Sequence, residues 1–251
     1  MTEPGISLLG TGMTLSDDEI AVLYAVDDRS APWLRVNFIS SIDGAGTHDG
    51  LTAGLGTPAD KRVFDILRRL CDVVLVGAGT VRAEGYGPMR LDEPAVHWRR
   101  GHGLSDQPVF AIVSAGLGLD PGHRIFTEAP VRPIVLTGEA ASRERRTALA
   151  EVADVLVAGD ENVDPRRMRS LLAGRGLTQV HSEGGPSLFG DFLREDAVDE
   201  VCLTISPFAE GPGAGRIVAG APTDIQRPMM LAHVLSSDGT LLLRYLRQPE
   251  G

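Results

Sequence analysis

Two strand-like segments, each ending in a glycine-rich turn and a helix start, constrain the fold of this chain most strongly. The first spans Val74–Thr80 (VLVGAGT), and the second spans Val180–Pro186 (VHSEGGP). Glycines let a backbone approach an anion, and a new helix presents free N–H groups with a partial positive dipole. The order of strand, glycine turn and helix therefore predicts an α/β fold with phosphate-binding turns at the carboxyl ends of its strands.

The rest of the chain alternates strand-like and helix-like segments, with Ser16 and Glu19 forming a capping-box signal and Ser237-Asp238-Gly239 a hairpin signal. The predicted strands are 33–40, 72–77, 108–114, 132–137, 155–158, 178–182, 200–206, 229–236 and 240–247. Helices are predicted over 16–26, 142–153 and 164–174, and after Thr57, Gly79 and Pro186; residues 86–107 read as irregular. We predict a mostly parallel central sheet with flanking helices and a C-terminal antiparallel hairpin, divided into a leader (1–30) and a single domain (31–251).

Composition excludes several classes of function. The 251 residues carry 34 acidic and 24 basic side chains, a formal net charge of −10, which argues against a broad nucleic-acid surface. Two cysteines, Cys71 and Cys202, cannot form a zinc ribbon or a disulfide framework, and both are predicted to be buried. No segment reads as a signal peptide or membrane span, so we expect a cytoplasmic protein. With only two cysteines and no His-Glu-x-x-His motif, we expect no metal site.

The first candidate site lies at the end of the strand 33–40. Ser40 and Ser41 are followed by Asp43 and Gly44, so hydroxyls and a carboxylate could face a ligand there. Asp-Gly is also a common turn pair, and the sequence leaves both interpretations open.

The second candidate site is the turn from Gly77 through Gly79 and Thr80 to Val81. A Rossmann fingerprint would require glycine where Arg82 stands, and a Walker loop would require Gly-Lys-Ser or Gly-Lys-Thr. The turn therefore predicts phosphate binding of neither standard type, with a plain tight turn as the alternative.

The third candidate site is the turn after the strand 178–182. The N–H groups of Gly185–Leu188 could bind a diphosphate at the start of a helix. Glu183 would then orient a substrate N–H or hydroxyl, or else act as a cap or a solvated side chain. His181 is interpreted as a core or edge residue.

Together these motifs resemble the pyrimidine reductases of riboflavin biosynthesis, which have a dihydrofolate-reductase-like fold. The resemblance runs from about Trp33 to Arg247 and rests on Ser41–Gly44, Gly77–Val81, Glu183–Gly185, and Val198–Glu200 leading to Ser206-Pro207. Residues Gly79–Tyr86 (GTVRAEGY) are similar to those of the stand-alone reductases of actinobacteria.

The resemblance implies an NADPH-dependent reductase, usually a homodimer, that converts a ribosylaminopyrimidine phosphate to its ribityl form. It implies cofactor contacts from Ser40, Gly77, Gly79, Thr80, Val81, Ser114, Gly184, Gly185, Pro186, Ser187 and Leu188. It implies substrate contacts from Asp43, Glu84, Arg90 and Glu183, with Glu84 and Glu183 as the catalytic candidates. Two alternatives remain open at this point: a dihydrofolate-reductase-like activity on a pteridine, and a nucleotide-binding module without turnover.

Overall fold

The computed structural model describes residues 5–222 and 226–248. The described residues pack as two compact units. The first unit takes the described residues within 1–27, 35–67 and 186–251, and the second takes 28–34 and 68–185. The predicted division into a leader (1–30) and one domain (31–251) stays a prediction.

The strands and helices follow the predicted alternation. The strands are β1 (Ser7–Leu8), β2 (Trp33–Ser41), β3 (Val73–Gly77), β4 (Val109–Val113), β5 (Ile134–Thr137), β6 (Asp154–Val157), β7 (Gln179–Ser182), β8 (Glu200–Ser206), β9 (Met229–Ser237) and β10 (Thr240–Arg247). The helices are α1 (Asp17–Tyr24), α2 (Pro58–Leu70), α3 (Ala78–Ala83), α4 (Glu93–Gly101), α5 (Arg124–Thr127), α6 (Arg143–Ala150), α7 (Pro165–Ala173) and α8 (Pro186–Arg194), with a short 3₁₀ turn at Thr52–Gly54.

The second unit is built on parallel strands in the order β7-β3-β4-β5-β6. Residues 73–76 of β3 and all of β5 are buried, because each strand has neighbours on both sides and its faces are covered. This burial explains why both strands read as continuous apolar runs. Leu75 of β3 pairs with Ser182 of β7, so the turns that follow these two strands emerge at one edge of the sheet.

The first unit contains the antiparallel part of the fold. Its strands lie in the order β1-β9-β10-β8-β2, where β8 and β2 are parallel and the other pairs are antiparallel. Asp238 and Gly239 both have positive φ, as the tight turn between β9 and β10 requires. The predicted α/β class, with mostly parallel strands and a C-terminal antiparallel hairpin, is confirmed.

A buried ion network joins α1 to the strands of the first unit. The Glu200 side chain has no exposed surface, and its Oε1 lies 2.8 Å from both Arg35 Nε and Arg244 Nε. Arg244 also donates to the carbonyls of Leu23 and Ala25 at the end of α1, and Arg35 donates to that of Tyr24. The charged network thus satisfies carbonyls that the helix end leaves open.

The segment 86–107, predicted to be irregular, contains α4, so that part of the prediction was wrong. Asp92 caps the helix by accepting from Ala95 N–H at 2.9 Å, and Pro94 stands in its first turn. The helical pattern is hidden because Arg99 points inward and is fully buried. Its guanidinium donates to the carbonyls of Arg69 and Cys71. The short elements β1 and α5 were not predicted either.

Candidate active site

Glu183 follows the last residue of β7, and protein encloses its carboxylate. The side chain has no exposed surface. Arg68, in the last turn of α2, donates from Nε to Glu183 Oε1 at 2.5 Å and from Nη2 to Oε2 at 2.7 Å. This two-pronged geometry is the strong form of a guanidinium–carboxylate contact. A charged donor therefore fixes the orientation of Glu183.

Tyr86 supplies a second donor to the same carboxylate. Its hydroxyl donates to Glu183 Oε2 at 3.1 Å, and its ring lies nearly parallel to that of Phe110. Burial, and after it the charge of Glu183, raises the pKa of Tyr86 well above its usual range, so the hydroxyl keeps its proton. His181 is fully buried, in agreement with its interpretation as a core residue, and its Nε2 lies 3.6 Å from Glu183 Oε1.

The two glycine turns predicted from the sequence meet directly beside Glu183. Gly77 N–H donates to Gly184 C=O at 2.9 Å. The peptide between Gly184 and Gly185 is cis, and Gly184 has a φ of 119°. A Cβ at Gly185 would lie 2.7 Å from Thr80 Oγ1, closer than side-chain carbons approach their neighbours, so this position requires glycine.

The turn at the end of β3 presents backbone to the surface. Gly79 is exposed, and a Cβ built on it would have no atom within 4 Å. Val81 points into the core, so only its backbone can face a ligand. Ser114 is buried directly after β4 and donates its N–H to Leu136 C=O. Open backbone on a glycine turn suits a phosphate group.

The helix start after the second glycine turn is also exposed. Pro186 and Ser187 are exposed at the first turn of α8, whereas Leu188 is buried. The nine-residue helix directs its partial positive charge toward this end. This helix start therefore leaves backbone N–H groups open to an anion.

Asp43 lies in the first unit, where its carboxylate organises a loop. It accepts hydrogen bonds from the Ser41 hydroxyl, from Glu210 N–H at 3.1 Å and from Gly211 N–H at 2.8 Å. These bonds, that of Ser41 foremost, lower the pKa of Asp43 to about 2. Ser40 is buried one residue before this turn. The carboxylate thus holds the segment around Glu210 against the loop after β2, a contact that the sequence did not predict.

The remaining substrate candidates, Glu84 and Arg90, stand on the segment that follows α3. Glu84 ends that helix and is half-buried, and its charge contributes to the raised pKa of Tyr86, after burial and Glu183. Arg90 is exposed and donates from Nη2 to the carbonyl of Glu128 at 3.2 Å. Glu84 therefore belongs to the surroundings of Tyr86, whereas Arg90 is engaged with a carbonyl on another segment of the second unit.

Sequence reasoning missed Arg68 and Tyr86 as partners of Glu183. Arginine in the last turn of a helix is typical of helix C-termini, so Arg68 carried no distinguishing signal. Tyr86 closes the stretch Gly79–Tyr86, which carried the resemblance to the stand-alone reductases. That motif was the available signal for it.

No helix among residues 5–222 and 226–248 combines the length and apolar character of a membrane span. Within the same residues, no group of three or more His, Cys, Asp or Glu side chains is arranged to hold a metal ion.

Comparison with curated proteins identifies the relatives of this chain. It is 32% identical over 183 residues to the 2,5-diamino-6-ribosylamino-4(3H)-pyrimidinone 5′-phosphate reductase of Methanothermobacter thermautotrophicus, covering 72% of this chain and 80% of the relative. The protein of the same name from Archaeoglobus fulgidus is 25% identical over 181 residues, covering 72% and 82%. The relatives are thus named as pyrimidine phosphate reductases.

Comparison with solved structures identifies the fold. A pyrimidine reductase-like protein from Corynebacterium diphtheriae superposes with a TM-score of 0.83 at 25% identity, covering 94% of this chain and 100% of that one. A bifunctional deaminase/reductase from Thermotoga maritima superposes with a TM-score of 0.67 at 22% identity, covering 88% and 58%. The predicted dihydrofolate-reductase-like fold is confirmed.

Residues 32–242 match the family described as RibD C-terminal domain. The match spans all three sequence motifs and both glycine turns beside Glu183. The predictions of a reductase and of this family are confirmed, and the chain belongs to the RibD C-terminal domain family.

Proposed function

We propose that this chain is an NADPH-dependent reductase that converts a ribosylaminopyrimidine 5′-phosphate of riboflavin biosynthesis to its ribityl form. The observation that carries the proposal is the Glu183 carboxylate, fixed by Arg68 beside two glycine turns that touch each other. A carboxylate in this position can accept hydrogen bonds from a polar substrate, while the turns bind phosphate groups.

The proposed phosphate ligands are backbone N–H groups of the turn from Gly77 to Val81 and of the helix start at Gly185–Leu188. The Gly77 N–H is excepted because it donates to Gly184 C=O, and Pro186 has no N–H. Thr80 and Ser114 add hydroxyls, and Ser40 contributes from the end of β2. When bound, the cofactor supplies a hydride to C1′ of the opened ribose. The family implies a nicotinamide cofactor, and the choice of the phosphorylated form, NADPH, is part of the proposal.

On the substrate side, Glu183 accepts a hydrogen bond from the substrate, and Glu84 is the proposed assistant in a proton transfer. Arg90 is the proposed phosphate ligand, a role that suits its planar fork of donors. It would exchange its contact with the Glu128 carbonyl for the phosphate. Asp43 shapes the loop after β2 and contributes through that loop.

The test is NADPH oxidation followed at 340 nm. The substrates are 2,5-diamino-6-ribosylamino-4(3H)-pyrimidinone 5′-phosphate, 5-amino-6-(5-phosphoribosylamino)uracil and dihydrofolate, each assayed with NADPH and with NADH. We expect oxidation with a pyrimidine phosphate, a preference for NADPH, and a product two mass units heavier than its substrate. Turnover of dihydrofolate alone would support a pteridine reductase, and tight NADPH binding without any turnover would support a nucleotide-binding module.

We also propose that the enzyme acts in the cytoplasm as a homodimer. Sedimentation velocity of the purified chain should then give a particle of twice the chain mass, and a monomer at micromolar concentration would contradict this part of the proposal.

A further inference from the structure

The hydrogen-bond donors of the protein already occupy the carboxylate of Glu183. Arg68 donates to both oxygens, and the Tyr86 hydroxyl donates to Oε2. The carboxylate has no exposed surface. These three bonds leave about one acceptor site of the carboxylate unused, but protein encloses it. A substrate donor can therefore reach Glu183, as the proposed function requires, only if one of these neighbours moves aside.

Arg68 is the donor that stays. Its two bonds to Glu183, at 2.5 and 2.7 Å, are charge-assisted, and its backbone is fixed within α2. Withdrawing the guanidinium would leave the carboxylate buried without a countercharge, which is strongly unfavourable.

Tyr86 is the donor that can leave. It is neutral and makes a single bond of 3.1 Å, the longest of the three hydrogen bonds to Glu183. It stands outside helices and strands, between Gly85, which has a φ of 65°, and Gly87, which has open space around it. The ring is only partly buried, so its hydroxyl can move out while the backbone N–H keeps its bond to Val81 C=O.

We infer that Tyr86 is a displaceable gate: its hydroxyl occupies the position on Glu183 that a hydroxyl or N–H donor of the substrate takes on binding. Arg68 is the positioning residue that holds the carboxylate throughout the exchange. The gate rests on the proposed function, since it presupposes that the substrate contacts Glu183. Tyr86 then competes with the substrate for Glu183. Removing its hydroxyl should therefore strengthen substrate binding, whereas removing an ordinary binding residue weakens it.

The test compares Tyr86→Phe with the wild-type enzyme and with Tyr245→Phe. Phenylalanine keeps the ring beside Phe110 and removes only the hydroxyl, whereas Tyr245 lies on β10 and tests hydroxyl removal elsewhere. Hydrogen bonds to charged groups are strong enough that losing the competitor should lower KM about tenfold. The kcat should be unchanged, and the dissociation constant from calorimetry should fall in parallel. Tyr245→Phe should match the wild type.

A KM of Tyr86→Phe that is unchanged or higher would overturn the gate, as would a fall in kcat at constant KM.

A second measurement detects the displacement of Tyr86 directly. Fluorotyrosine is incorporated, and the Tyr86 resonance, assigned by its loss in Tyr86→Phe, should shift when the pyrimidine phosphate is added. An unmoved resonance in an enzyme that turns over would overturn the gate alone. A wild-type enzyme that neither binds nor reduces the pyrimidine phosphate would overturn the proposed function, and the gate with it.

Discussion

The two units of this protein each hold a buried glutamate clamped by arginine, and the two clusters differ in their remaining donors. Glu200, in the first unit, lies between Arg35 and Arg244, both on strands. Glu183, in the second unit, has one arginine from a helix and one neutral hydroxyl from a loop. The side-chain partners of Glu200 stand on strands, whereas Glu183 has one neutral donor, at 3.1 Å, that stands on a loop.

This difference separates a structural role from a functional one. The Glu200 cluster ends on backbone carbonyls at the end of α1, so its charges serve to hold a helix in place. The Glu183 cluster lies beside two glycine turns, of which the one at Gly79 has exposed backbone, and under the proposed function an exchange of donors there is coupled to ligand binding. Under the proposed function, a replaceable neutral donor, rather than buried charge as such, distinguishes Glu183 from Glu200.

The largest effect on stability is expected at Glu200. Glu200→Gln keeps the shape but leaves two buried guanidinium groups without a countercharge, which should lower the free energy of unfolding by about 3–5 kcal/mol. For a chain of this length that corresponds to a fall in Tm of roughly 10 °C in calorimetry. Glu161→Gln, at an exposed position, serves as the control and should leave Tm unchanged. A change of under 1 kcal/mol in Glu200→Gln would remove the structural role.

The same cluster predicts an acid transition. Burial alone would raise the pKa of Glu200, but the attraction of Arg35 and Arg244 outweighs it and lowers the pKa to about 2 from 4.5. Because the folded pKa is depressed, this stabilisation is present above pH 4.5 and is lost as the pH falls toward 2. Integrated over that window it amounts to roughly 3 kcal/mol. Urea unfolding between pH 7 and pH 3 should show about two thirds of this loss in the wild type and less of it in Glu200→Gln.

Arg68→Lys probes the functional cluster. Lysine keeps the charge but loses the fork that orients Glu183, so kcat/KM should fall by about tenfold to a hundredfold. The free energy of unfolding should fall by only about 1–2 kcal/mol, because the Arg68 side chain is 21% exposed and water can replace part of its bonds. Arg143→Lys, at an exposed position on α6, is the control for replacing an arginine by a lysine. A loss of stability equal to that of Glu200→Gln would erase the contrast between the clusters.

The sequence predicted the framework of both regions but not the partners of either glutamate. Strands such as Val73–Gly77 and the turn glycines could be predicted because an apolar run, or a backbone conformation that favours glycine, shows in the local sequence. Arg68 meets Glu183 across 115 positions of sequence, and a local pattern carries no information about such a contact. Arg99 hid α4 for a related reason, since its inward-pointing guanidinium bonds carbonyls distant in sequence.

The glycine turns provide a comparison of stability alone, and Gly79→Ala is expected to have the smallest effect of all. Gly185→Ala should cost about 1–3 kcal/mol, because its Cβ would meet Thr80 Oγ1 at 2.7 Å. Thr80→Ala in the same chain should restore part of that loss. Gly79→Ala, where nothing lies within 4 Å, should be neutral within about 0.5 kcal/mol. Denaturant unfolding of the three variants measures all of these differences, and equal losses at Gly79 and Gly185 would contradict the close approach of the two turns.

The proposed contact between Glu183 and the substrate of a reductase is tested by replacing the carboxylate. NADPH oxidation at 340 nm with the pyrimidine phosphate is compared between the wild type and Glu183→Gln, with the NADPH dissociation constant measured in parallel. The account predicts a loss of at least about a hundredfold in kcat/KM for Glu183→Gln, with NADPH binding changed less than threefold. Full activity in Glu183→Gln, or a loss explained entirely by weaker NADPH binding, would contradict it.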